Sequence, residues 1–400
     1  MNSAGDVLDL ISRGAAGTRA DLARHTGMAR STVAQRVDAL IEYGLVEEAT
    51  EPGESTGGRP PRVLRLNTEL NCVLGVDLGA THCRVALMDI GGALLATRED
   101  PLLITRGPEP VLEHIDARMH ELLAEVRRPI ETVKAIGIGV PGPVEFATGR
   151  PVNPPIMPGW HEYPIPEFFT DRYDVEVLVD NDVNVLALGE RRFAYPEAPH
   201  LLFVKVGTGI GCGIIAGGRL HRGSQGSAGD IGHIRVPGAD DALCRCGNTG
   251  CLEAVAGGTA LAERLTAAGV PARTGRDVVE LVNQGDPLAL RMVRDGGRVI
   301  GDVLAGLVNF FNPEAIVVGG VMAEVHEPLL AGVREVIYQR SLPLATHRLA
   351  VVPSRSGDEG GALGAGRLAI DHVLAPDLIN RALARRPGAP PSPRPSTAAR

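Results

Sequence analysis

Three of the six cysteines crowd into Cys244-Arg245-Cys246-Gly247-Asn248-Thr249-Gly250-Cys251, with His233 shortly before them. Three thiolates and one imidazole form a tetrahedral zinc set. Gly247 and Gly250 permit the tight turn that would bring Cys246 and Cys251 to one ion. All four positions would be filled by protein, so the expected Zn2+ is structural rather than catalytic. His233 could hold the metal with one ring nitrogen and face a ligand with the other. The alternative, three buried free thiols beside an unrelated histidine, leaves the CxCGxxGC spacing unexplained.

A second chemistry lies in the glycine turns. Asp77-Leu78-Gly79-Ala80-Thr81 falls between two β-rich runs, where exposed amides and the Thr81 hydroxyl could cradle phosphate oxygens. Asp77 could hold a magnesium-bound water. Gly207-Thr208-Gly209 forms a second such turn. Gly319-Gly320, after the run AIVVGG, would let the base and sugar of a nucleotide such as ATP lie against the backbone. One glycine-rich hairpin is usually only a hairpin; three in order are a stronger signal. In LVDNDVNVLALGE, Asn181 and Asp182 stand where a strand gives way to a helix. A carboxylate there could take a proton from an attacking sugar hydroxyl, and an Asx turn capping the helix fits the same residues. Asn153, near Trp160, is either a further hydroxyl contact or a buried structural side chain.

The elements that must position these groups alternate between strands and helices from about residue 71 to 370. CVLGVDLGATHCRVALMDIGGALLATRED reads as strand, turn, strand, turn, strand, and LLFVKVGTGIGCGIIAGGRLHRG echoes it. Two related lobes, 71–190 and 191–375, with a ligand cleft between them are expected. Residues 386–400, rich in Pro, Ser and Ala, read as a disordered tail.

Residues 1–66 are different. Val7, Leu8, Leu10 and Ile11 give a first helix its apolar face. Thr18 caps a second that ends at Gly27. A third runs from about Ala29 to Tyr43 with Val33, Val37, Leu40 and Ile41 as its buried stripe. Its other face offers Arg30, Ser31, Thr32, Gln35 and Arg36, side chains suited to phosphates and base edges. STGGRPPR then forms the tip of a wing, where Arg59 and Arg62 could reach phosphates or a narrow minor groove. The segment holds eight arginines against nine acidic residues, so any DNA contact must be local. A helical interaction module with a linker is the plainer alternative.

Composition agrees with a multidomain α/β chain. Four hundred residues exceed one ordinary core, and with 3% aromatics that core must rest on aliphatic side chains. A net charge of -8 excludes indiscriminate nucleic-acid binding. The N-terminus does not read as a signal peptide and no apolar run would span a bilayer. A cytoplasmic protein with no membrane partner is expected.

The winged helix with its STGGRPPR tip, the ordered glycine turns and the CxCGxxGC knuckle together resemble the ROK family of repressors and sugar kinases, over nearly all of residues 1–370. The resemblance implies a two-lobed actin/hexokinase-like ATPase fold behind a winged helix-turn-helix. It implies Asp182 as the catalytic aspartate of the kinases, Asn181 as a sugar ligand, and sugar-binding carboxylates at Asp230 and Glu253. It also implies assembly as a homodimer or homotetramer. Three positions depart from the kinase pattern: Ala80 replaces a common Gly, His82 a common Lys, and Asp230 a common Glu. The expected function is a sugar-responsive regulator, with a sugar or sugar phosphate as effector and a double-stranded operator as partner. An ATP- and Mg2+-dependent hexose or N-acetylhexosamine kinase with a DNA-binding appendage is the alternative.

Overall fold

Ser3 opens the chain's first helix with a capping box, its side chain accepting from the Asp6 amide. That helix, α1 (Ala4–Ser12), buries Val7, Leu8 and Ile11. Thr18 caps α2 (Arg19–Thr26), and Gly27 ends it at φ 70°, a conformation that favours glycine. The helix α3 (Arg30–Glu42) buries Val33, Val37 and Leu40 and starts after Ala29 with no side-chain cap. The strands β1 (Val46–Thr50) and β2 (Arg62–Leu66) pair antiparallel, Val46 against Leu66. In this computed structural model the described residues are 3–50 and 62–385. The tip of the wing, with Arg59, and the expected tail 386–400 fall outside them.

The first lobe contains β3 (Cys72–Leu78), β4 (His82–Asp89), β5 (Leu94–Pro101), α4 (Pro108–Glu125) and β6 (Val133–Val140). It continues with the small hairpin β7 (Val144–Glu145) and β8 (Arg150–Pro151), then α5 (Ile165–Tyr173) and β9 (Glu176–Asn181). Its sheet order is β5-β4-β3-β6-β9. The helix α6 (Asp182–Phe193) leads to the second lobe: β10 (Leu201–Val206), β11 (Ile210–Ala216) and β12 (Arg219–Leu220). Four helices follow, α7 (Leu252–Ala256), α8 (Gly258–Ala267), α9 (Gly275–Asn283) and α10 (Pro287–Phe311). Then come β13 (Ala315–Gly319), α11 (His326–Arg340), α12 (Pro343–Thr346) and β14 (Ala350–Pro353), in a sheet ordered β12-β11-β10-β13-β14. Both sheets place an antiparallel three-strand meander beside two parallel strands. The echo seen in the sequence is thus a repeated topology.

Chain position misplaces the next helix. Residues up to 375 were expected in the second lobe, yet α13 (Gly360–Val373) returns to the first and packs on β3, β6 and α6. Glycines allow this approach: a Cβ on Gly75 would lie 2.2 Å from the Ala362 carbonyl, and one on Gly137 2.0 Å from that of Ala365. Residues given no role by sequence form α14 (Pro376–Ala384), which docks on α1. There the Gly5 amide donates to Asn380 Oδ1 at 3.0 Å, and Ile379 joins the apolar cluster of Val7, Leu8 and Ile11. The same cluster takes in Val73, Met88, Ile90, Ala369 and Ile370, so the winged helix and the first lobe share one core.

Candidate functional site

The end of β9 and the start of α6 deliver the carboxylates of the cleft. Asn181 is the N-cap of α6: its Oδ1 accepts from the Val183 amide at 2.9 Å, and its Nδ2 donates to the Gly142 carbonyl at 2.9 Å. The Asx-cap reading therefore describes its side chain, which lies beside the segment bearing the expected ligand Asn153. Pro154 packs on Gly142 there, and Asn153 itself is exposed at φ 44°, so it is not a buried structural residue. Asp182 is buried. Its Oδ1 accepts from the Val183 amide, and its Oδ2 receives a hydrogen bond from Lys205 Nζ on β10.

Lys205 was not anticipated. Burial works to lower the affinity of its amine for a proton, but the carboxylates of Asp182 and Asp77 outweigh that, and its pKa rises. A parallel arrangement surrounds Asp77. Its Oδ2 lies 3.6 Å from His82 Nε2, and this contact holds the imidazole pKa above its ordinary value. The His82 ring lies over Gly79, where a Cβ would come within 2.1 Å of it. The Asp77 carboxylate also faces Gly361 at the start of α13, where a Cβ would stand 2.2 Å from it.

The glycine turns differ from one another. Thr81 and Thr208 are exposed, and among the described residues a side chain on Gly207 would meet only Lys205 Cε, 3.9 Å away. Gly209 is filled from behind by Glu253, whose Oε2 lies 2.5 Å from the Cβ position. Gly319 ends β13, and Gly320 follows it at φ 84°. The space beside Gly319 holds the Phe203 ring, and a Cβ on Gly320 would lie 2.7 Å from the Val206 carbonyl. Close packing of β13 on β10 is by itself enough to require glycine at both positions.

His233, Cys244, Cys246 and Cys251 present ligand atoms that all lie within 4.8 Å of one another. Zn–S bonds of about 2.3 Å set a tetrahedron edge of about 3.8 Å, and the Cys246 and Cys251 sulfurs are 3.7 Å apart. His233 Nδ1 lies 3.7 Å from Cys244 Sγ, while Nε2 faces Asp230 at 3.8 Å. A backbone hydrogen bond from Asn248 is the main influence drawing the Cys246 thiol down to about 7, towards the thiolate a metal requires. The Cys244 thiol donates to Glu253 Oε1 at 3.3 Å. The knuckle, Glu253 and Gly209 are therefore contiguous, with exposed Asp230 at their edge.

Sequence reasoning also passed over two buried acids. Asp180 accepts from Arg222 Nε and from Asn184 Nδ2, both at 2.7 Å, while the Arg222 guanidinium lies 3.7 Å above the Phe146 ring. This pins the loop after β12 to the first lobe. Glu190 on α6 accepts from the Arg355 and Ser356 amides and from the Ser354 and Ser356 hydroxyls, holding the approach to α13. Only the arginine in HRG, following a glycine turn, offered a sequence signal.

On the winged helix, Arg30, Ser31 and Gln35 are exposed, while Thr32 and Arg36 are half-buried. Arg36 Nε has no hydrogen-bond partner among the described residues. Arg62 points along the wing to Glu48 at 2.8 Å, in a network completed by Arg19, rather than standing free for phosphate.

Residues 73–372 match the ROK family, and residues 4–49 match the IclR helix-turn-helix domain. The chain belongs to the ROK family. A ROK family transcriptional regulator, described as a homologue of the E. coli MLC protein, superimposes with a TM-score of 0.81 at 27% identity, covering 96% of this chain and 98% of that one. The xylose repressor of Caldicellulosiruptor bescii is 29% identical, with 90% of this chain and 92% of that protein covered. A ROK glucokinase from Streptomyces griseus, in complex with glucose and AMPPNP, matches at TM-score 0.64 and 30% identity over 75% of this chain and 99% of its own. The ROK regulator thus spans the winged helix and both lobes, whereas the ROK glucokinase covers three-quarters of the chain. Among the described residues no helix is long and apolar enough to cross a membrane.

Proposed function

We propose that this chain is a transcriptional repressor whose two-lobed body senses a sugar and whose winged helix reads double-stranded operator DNA. The observation that carries it is the shared core: α14 clasps α1, and α13 runs from Asp77 in the cleft to that clasp. A ligand that favours one setting of the lobes would bias the placement of the winged helix, and hence operator affinity. Similarity to a xylose repressor and to a ROK regulator over nine-tenths of the chain supports the same reading. Two copies would present two winged helices to a two-fold operator in the cytoplasm.

In this reading α3 enters the major groove with Arg30, Ser31, Thr32, Gln35 and Arg36, and its uncapped N-terminus offers amides to a phosphate. Asp230 and Glu253, with Asn181 and Asn153 at the opposite rim, hold sugar hydroxyls. The soft donor set of His233, Cys244, Cys246 and Cys251 suits zinc. A bound ion there would supply a structural cross-link between the Cys244–Cys246 turn and Cys251, the N-cap of the helix α7 that carries Glu253.

Binding of a labelled duplex from upstream of the chain's own gene tests the assignment. Arg36→Ala is expected to weaken it by about 1 kcal/mol and lower the salt slope by about 1. An unchanged titration would remove α3 from the interface. The kinase reading draws on Asp182 and on the Gly207-Thr208-Gly209 turn, where Thr208 is exposed, with ATP and Mg2+ as co-substrates. It predicts sugar-dependent ADP release that Asp182→Asn abolishes; equal background in both proteins excludes it.

A further inference from the structure

The three thiols of the knuckle are not equally open to solvent. Cys246 is exposed, whereas Cys244 and Cys251 are buried, as are the distant Cys72, Cys83 and Cys212. An oxidant arriving from solution therefore meets Cys246 first. The Cys246 sulfur lies 3.7 Å from that of Cys251, and the two need close by only about 1.7 Å to bond.

Cys244 is placed differently. Its thiol is turned to Glu253 Oε1 at 3.3 Å, and His233 Nδ1 lies 3.7 Å from its sulfur. A bond from Cys246 to Cys244 would also close a small ring across Arg245 alone, which suits the disulfide dihedral of about 90° poorly. Between Cys246 and Cys251 runs Gly247-Asn248-Thr249-Gly250, with the two glycines at φ 91° and 75°. Glycine at both ends of that turn lets the backbone follow the sulfurs together.

Resting on the zinc reading above, we propose that Cys246 and Cys251 form an oxidation site for a peroxide. The Cys246 thiolate attacks the O–O bond, giving a sulfenic acid and a hydroxide ion. The Cys251 thiolate then attacks the sulfenic sulfur, forming the disulfide and expelling a second hydroxide. Two electrons pass from the sulfurs to the peroxide, which ends as the two hydroxide ions. The donor set keeps only His233 and Cys244, too few to retain zinc. The turn stays tied to Cys251 at the start of α7, while the segment bearing Asp230 and His233 is released from it.

Treatment of zinc-loaded full-length protein with hydrogen peroxide tests this. Released zinc is read with a chromogenic chelator, and the bonds are read by alkylation and peptide mass mapping. One zinc is expected to leave for each disulfide formed, with Cys246 joined to Cys251 and with Cys72, Cys83 and Cys212 still free. Dithiothreitol followed by added zinc should restore the loaded protein. Cys244→Ser removes the competing partner and should keep the same pairing; the wild-type map decides the matter if that variant fails to fold. The proposal is overturned if zinc leaves without a disulfide, if the bond joins Cys244, if Cys246 passes to sulfinic acid while Cys251 stays free, or if excess peroxide leaves every thiol intact. Protein that purifies without zinc and takes up none, yet forms the same disulfide, sinks the zinc reading and keeps the oxidation site.

Discussion

The knuckle and the cleft lie on either side of Glu253, and their charges are arranged in opposite ways. The knuckle gathers three sulfurs and an imidazole, and its nearest additional partner is another anion, the Glu253 carboxylate on Cys244. Among the described residues no hydrogen bond from a Lys or Arg side chain reaches its sulfurs. In the cleft, Asp182 and Asp77 each have a basic partner, Lys205 and His82. On the proposed reading, the difference separates a site that would be built around a metal from one that would function without it. Donor sets with no counter-charge depend on an ion for stability, whereas a self-neutralised set is free to answer to a ligand.

The sharpest way to break this contrast is at the knuckle. Cys246→Ser should lose bound zinc and cost on the order of 4 kcal/mol. Metal content and a urea melt measure both; a metal-free variant of undiminished stability would put the knuckle on the same footing as the cleft. The clasp between α14 and α1 comes next. Ile379→Asp buries a charge in the winged-helix core and should cost about 3 kcal/mol. Duplex binding is expected to fall while zinc content holds, and loss of zinc in that variant would show that the two regions are not independent.

The smallest effect concerns His82. Its pKa is raised by Asp77, so its stabilisation is fully present below the ordinary imidazole value and is lost as pH rises through the raised one. Wild type should exceed His82→Gln in melting temperature near about pH 6 and match it near about pH 9, by less than about 1 kcal/mol because the ring is partly exposed. A difference independent of pH would assign His82 to packing over Gly79.

What was legible in the sequence follows from distance along the chain. The knuckle ligands lie close together around two glycines, and the repeated strand pattern announces two lobes before any contact is known. Lys205 and Asp182 meet only because β10 of one lobe faces α6 at the edge of the other, so a charged residue in LLFVKV gave no sign of its partner. Gly319 and Gly320 were legible as glycines but not in their cause, since close packing and ligand approach demand the same residue. The helix α13 was assigned by order to the wrong lobe, and α14 received no role, because docking on α1 joins residues at opposite ends of the chain.

The central claim is that occupancy of the cleft reaches DNA through α13 and α14. Fluorescence anisotropy of a labelled upstream duplex, titrated with protein in the absence and presence of a saturating sugar or sugar phosphate shown to bind by calorimetry, tests it directly. A shift in duplex affinity of about tenfold or more is expected. Superimposed curves with the ligand bound would contradict it.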